Sequence, residues 1–195
     1  MTDSIYAPPE TDVEVADVSS TPYYVVSAKK LVILSIITFN MYIVYWAYRH
    51  WAHVKRYFQE DVWPVPRALF MVFFTHSLFG RIDGSLRAKN MTYSWSPYSL
   101  ATLVVLISVA VNILSRIGAR FGDPLWIDLV ALGSVFVLTA LLVPAQRAAN
   151  LASDDPEGES NSNLTAANWA WIVLGGAYWG VSMLGLWFLL TQGAA

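Results

Sequence analysis

Three long apolar runs constrain this chain more than any other feature: Tyr98–Ser115, Leu125–Val143 and Asn168–Thr191. The first and third carry no formal charge, and the second carries only Asp128, near its start. About 20 helical residues cross a hydrocarbon core of about 30 Å, and each run approximates that length. The expected fold is therefore all-α: a polytopic integral membrane protein with three firm transmembrane helices. Charged residues make up only 13% of the sequence, against about 25% in soluble domains, which is too few to cover a water-facing surface. The 9 Trp and 10 Tyr suit a chain whose amphipathic rings sit at headgroup level.

Two earlier segments are expected to be membrane-embedded and helical without being simple spans. Leu31–Tyr48 follows Lys29-Lys30 and leads into Arg49, Lys55 and Arg56, and Thr38-Phe39-Asn40 interrupts it with polar groups. Beyond Trp51 it reads as a basic amphipathic helix reaching about Phe58, suited to lying on an anionic leaflet. Pro66–Gly80 has an apolar stretch, Ala68–Gly80, bounded by Arg67 and Arg81. That length suits a re-entrant or interfacial segment, although a helix continuing to Lys89 would cross.

Residues 1–28 hold Asp3, Glu10, Asp12, Glu14 and Asp17 with no base before the end of the stretch. With Pro8 and Pro9 they predict a disordered tail. Residues 29–195 form one membrane domain, and its acidic loop 152–167 is expected to be solvated and mobile. Without cysteine, disulfides and thiolate sites are excluded. The basic residues flank apolar spans and form no nucleic-acid stripe.

Positive residues concentrate in cytoplasmic loops. If all five segments cross with the N-terminus inside, Lys and Arg divide evenly between the sides. If neither early segment crosses, the bias is strong. The count favours at least one re-entrant or interfacial early segment, with loops 81–97 and 144–167 cytoplasmic. Loop 116–124 and the C-terminus are then external, and the side of the N-terminus stays open.

Tyr23-Tyr24-Val25-Val26-Ser27, Lys30-Leu31, Thr38-Phe39, Tyr42 and Tyr45-Trp46-x-Tyr48-Arg49-x-Trp51 form a connected pattern. Later elements are Pro66-Arg67-Ala68, Gln146-Arg147-Ala148-Ala149-Asn150 and Gly175-Gly176 with Trp179 and Gly185. The pattern resembles an uncharacterised family of small bacterial inner-membrane proteins, a domain of unknown function. The resemblance implies a bacterial cytoplasmic membrane and no activity. Asn40 stands where that pattern would place Gly, which puts a hinge there in question.

Several constellations have both chemical and structural readings. His50-x-x-His53 share a helical face. With Glu60 or Asp61 they suggest a metal site, or else an interfacial helix meeting headgroups. His76, Asn112 and Asp128 are ionisable or polar groups at apparent membrane depth, functional candidates by default. His76 and Asp83 suit a proton relay, or His76 is a hydrogen-bonded neutral imidazole. Asn112 and Ser108 fit helix–helix bonding, and Asp128 fits the first-turn dipole. Gly176 and Gly180 form a GxxxG groove for a neighbouring helix within the chain or in a homo-oligomer. Arg49, Lys55, Arg56 and Arg67, interleaved with aromatics, are candidate anionic-lipid contacts.

No catalytic residue set, cofactor or metal site is assigned. The leading expectation is a non-enzymatic membrane protein acting through lipid and protein contacts, as an accessory, assembly or envelope-homeostasis factor. A small transporter or channel subunit using His76, Asn112 and Asp128 is the alternative, and a membrane-embedded enzyme a weaker one.

Overall fold

The structure is a computed structural model that describes residues 21–122 and 125–192. Among these residues the chain is all-helical: α1 (Ala28–Ile37), α2 (Met41–Tyr57), α3 (Pro64–Leu69), α4 (Met71–Ala88), α5 (Pro97–Phe121), α6 (Leu125–Ala152) and α7 (Ala166–Gln192), with a 3-10 turn at Glu159–Asn161. α5, α6 and α7 are long and apolar enough to cross a membrane. The outward faces of these three carry Leu106, Ile113, Val137, Leu174 and Leu184, all exposed, as a lipid-facing surface requires.

Neither early segment reaches the length and apolarity of a span. The run expected over 31–48 is two helices. Phe39 and Asn40 adopt left-handed backbone (φ 50° and 65°) and turn the chain between α1 and α2. Asn tolerates this conformation by local hydrogen bonding, so the turn forms without glycine. Phe39, a costlier residue there, is held by the Trp179 ring stacked at 4.2 Å and the Tyr178 edge at 4.8 Å. The second segment breaks at Phe70, and α4 then runs to Ala88. α4 carries Arg81, Asp83 and Arg87, with an Arg87–Asp83 ion pair.

The contacts to α6 show that α1 and α2 form a hairpin. Val26, just before α1, meets Asn150, whereas Asn40 at the elbow meets Val135 and Thr139. α2 then returns, bringing Trp46 and His50 to Gln146. The hairpin thus descends along the C-terminal half of α6 and comes back. At 1.5 Å per residue, α1 carries the elbow about 15 Å along. α7 reaches the elbow from the other side: the Trp179 indole N–H donates to the Ile36 carbonyl at 3.0 Å.

The N-terminal tail does not extend to residue 28. Residues 1–20 lie outside the described residues, but Tyr23–Val26 are extended core, with Tyr23 and Val26 wholly buried. Their backbone is held by side chains. Gln146 Nε2 donates to the Tyr24 carbonyl at 2.9 Å. Asn150 accepts from Val26 N–H at 3.3 Å and donates to the Val26 carbonyl at 3.0 Å, replacing a missing strand partner. Ala145, Ala148, Ala149 and Ala152 line this part of α6, all fully buried, and small side chains let the backbones approach.

α2 also departs from expectation. It is amphipathic, but its apolar face packs inward on the protein through Tyr42, Ile43, Trp46, Ala47, Trp51 and Val54. Each large side chain buried there contributes about 1.5–3 kcal/mol. The acidic loop expected to be mobile is pinned as well. Asp155 accepts from Glu159 and Ser160 N–H, and Lys89 pairs with Asp154 at 2.7 Å. Gly158 sits so tightly on Val26 that a Cβ would fall 2.6 Å from its carbonyl carbon.

Candidate functional site

Between the arms of the α1–α2 hairpin lies a groove of about 1030 Å³, closed by α3, the start of α7 and the loop before it. Its α1 wall presents Lys30, Leu34 and Thr38, one turn apart. Its α2 wall presents Tyr42, Tyr45, Tyr48, Arg49 and His53, and Val65 and Leu69 come from α3. Helix geometry grades the lining. Lys30 begins α1 while Arg49 and His53 lie in the second half of α2, so the hairpin's open end is polar. Leu34, Thr38, Met41 and Val44 lie toward the elbow.

The polar end is basic. Lys30 is 4% exposed. Its Nζ donates to Asn161 Oδ1 at 2.7 Å and to the Asn163 carbonyl at 2.6 Å. Both acceptors are neutral, and burial lowers the Lys30 pKa from its ordinary value. Arg49 stacks over the Tyr24 ring at 4.8 Å and donates to the Tyr45 hydroxyl at 2.7 Å. Among the described residues neither base has a carboxylate partner, and no Asp or Glu lines the groove. The sequence held a signal for this: no acid occurs between Asp17 and Glu60, a stretch carrying Lys29, Lys30, Arg49, Lys55 and Arg56.

The two histidines flank Tyr24 but serve different partners. His50 is fully buried and its Nε2 meets Gln146 Oε1 at 3.2 Å. Burial pushes its pKa down to about 3, so the ring is neutral. His53 Nδ1 meets the Thr21 carbonyl at 3.1 Å, and its buried Nε2 has no partner among the described residues. Among the described residues no cluster of three His, Asp or Glu is placed to hold a metal.

The other candidate residues are dispersed. His76 Nε2 meets Thr102 Oγ1 on α5 at 3.0 Å. Asp83 accepts from the Trp95 indole at 3.1 Å and pairs with Arg87. Asn112 donates to Ser108 of its own helix at 2.9 Å. Asp128 lines a separate crevice of about 420 Å³ against Tyr178 and Ser182 of α7. Neither His76 nor Asn112 lines the crevice that holds Asp128.

Within the chain Gly176 and Gly180 face open space, and it is the adjacent Gly175 that packs on α1, where a Cβ would lie 2.1 Å from the Ile37 carbonyl oxygen. Arg49 enters the groove, Lys55 and Arg56 are exposed, and Arg67 stacks on Trp51 at 4.3 Å, so the four bases form no single stripe. No family model, curated protein or solved structure matches this chain, which leaves its own residues to carry its function.

Proposed function

We propose that this chain is a non-enzymatic membrane protein that acts through lipid contacts, holding a membrane amphiphile in the groove of its α1–α2 hairpin. The observation that carries this reading is the graded lining. Polar hydroxyls, amides and bases stand at the open end, and apolar side chains continue toward an elbow beside the middle of the transmembrane helix α6. An amphiphile is the ligand class with the same division. The volume lies at the upper end of the 300–1,000 Å³ of small-molecule sites.

The polar lining supplies hydrogen bonds and positive charge without a carboxylate, and His53 is tied to Thr21. That composition favours binding over general acid–base chemistry. We place the protein in a bacterial cytoplasmic membrane, a reading that the motif resemblance supports.

The test is retention of lipid. Protein extracted in mild detergent and exhaustively washed should keep close to one equivalent of amphiphile, measured by organic extraction and mass spectrometry. Leu69→Trp, at an exposed groove position, should reduce that equivalent without lowering the melting temperature. Equal and non-stoichiometric lipid in both proteins would defeat the reading.

A further inference from the structure

We propose that the amphiphile is anionic, with its charged head seated between Lys30 and Arg49; this rests on the amphiphile-binding reading above. Lys30 is the central observation. An ammonium has three donors, and two of them are engaged by neutral oxygens of Asn161 and Asn163. A charge 4% exposed with no opposite partner among the described residues is costly, and the remaining N–H suits a third, anionic acceptor.

Arg49 supplies the second base in a fixed pose. Its guanidinium is clamped by Tyr24 and Tyr45, so little side-chain freedom is lost when it binds, and its planar fork matches carboxylate and phosphate oxygens. Among the described residues no acid stands in the lining, which gives that part of the mouth a single sign. Below the head, Leu34, Val44, Val65 and Leu69 offer an apolar path for a chain. The shared chemistry is a singly charged oxyanion on an acyl chain, found in both the phosphodiester of an anionic phospholipid and the carboxylate of a fatty acid.

The experiment is native mass spectrometry of the full-length protein titrated with dioleoyl-phosphatidylglycerol, dioleoyl-phosphatidylcholine and oleate. We expect one equivalent of phosphatidylglycerol or oleate to bind at least tenfold more tightly than phosphatidylcholine. Tighter binding of phosphatidylglycerol identifies a lipid headgroup as the source, and tighter binding of oleate identifies a free carboxylate. Arg49→Gln, which keeps a hydrogen-bonding side chain, should abolish the preference by weakening phosphatidylglycerol and oleate at least tenfold. Lys30→Gln should do the same, and Leu69→Glu, an acid introduced at an exposed position of the lining, should weaken the anionic ligands selectively. Equal affinity for phosphatidylglycerol, oleate and phosphatidylcholine would overturn the anionic assignment and leave the amphiphile reading standing. Binding of none of the three would overturn both.

Discussion

Replacing Gln146 with Ala should unfold the join between the extended N-terminal segment and the membrane helices. The Gln146 side chain is fully buried. Its Oε1 accepts from the Trp46 indole and from His50 Nε2, and its Nε2 donates to the Tyr24 carbonyl and to Asn150 Oδ1. Asn150 Oδ1 keeps the Val26 N–H, so three groups lose their partner: two N–H donors and one carbonyl. A buried polar group left unpaired costs about 1–3 kcal/mol, which bounds the loss at roughly 3–9 kcal/mol. A water admitted to the vacated space would restore some bonds, so about 3–4 kcal/mol is expected.

At 2–4 °C per kcal/mol for a chain of this size, the melting temperature should fall by roughly 6–16 °C. The assay is thermal unfolding in lipid nanodiscs, with Asn112→Ala as the control. Asn112 bonds only its own helix at an exposed position, and its loss should cost under about 0.5 kcal/mol. A Gln146→Ala protein melting within about 2 °C of wild type would refute the claim that Gln146 satisfies this cluster.

Three further outcomes follow from other contacts. Gly175→Ala should separate α7 from the elbow, because its Cβ would collide with the Ile37 carbonyl, while Gly176→Ala should be neutral. Cysteine pairs placed at Ile36 and Trp179 in this cysteine-free chain, scored for crosslinking, check it. Stability should fall as pH drops below about 6.5: His50 and His53 are depressed in the folded protein, so the unfolded chain takes up protons first. Each contributes at most about 1.4 kcal/mol per pH unit, and His50→Leu should remove its share of the slope in denaturant titrations between pH 7 and 5. A reporter fused at Ala195 should lie on the outer face of the membrane, and a cytoplasmic signal would contradict the charge-based orientation.

Local physics explains what was legible beforehand. α5, α6 and α7 declare themselves by uncharged length, a property of each segment alone. The interruption at Thr38-Phe39-Asn40 was equally visible, since polar groups mid-run are local. The fate of Tyr23–Ser27 was not. Its neighbours are acidic and proline-rich, and what buries it is a pair of amides on α6 more than a hundred residues away. Periodicity carries no trace of such a pairing, although Gln146 and Asn150 among four alanines gave the complementary half.

The basic, aromatic face of α2 suggested a surface helix because composition cannot tell which medium an apolar face meets; here Trp46 and Trp51 meet protein. The glycine spacing likewise named Gly176 and Gly180, but spacing does not specify a face, and the adjacent Gly175 points at α1. The groove is hard to read from sequence because its basic residues are scattered along the hairpin, and the informative pattern is the missing acids around them.

The groove itself is open to one direct measurement: photolabelling in native membranes with a phosphatidylglycerol bearing a diazirine midway along its acyl chain, followed by peptide mapping. Occupancy of the hairpin predicts label concentrated on Leu34, Met41, Val44 and Leu69, and its loss in Arg49→Gln. Label confined to the outward faces of α5 and α7, unchanged by that substitution, would contradict it.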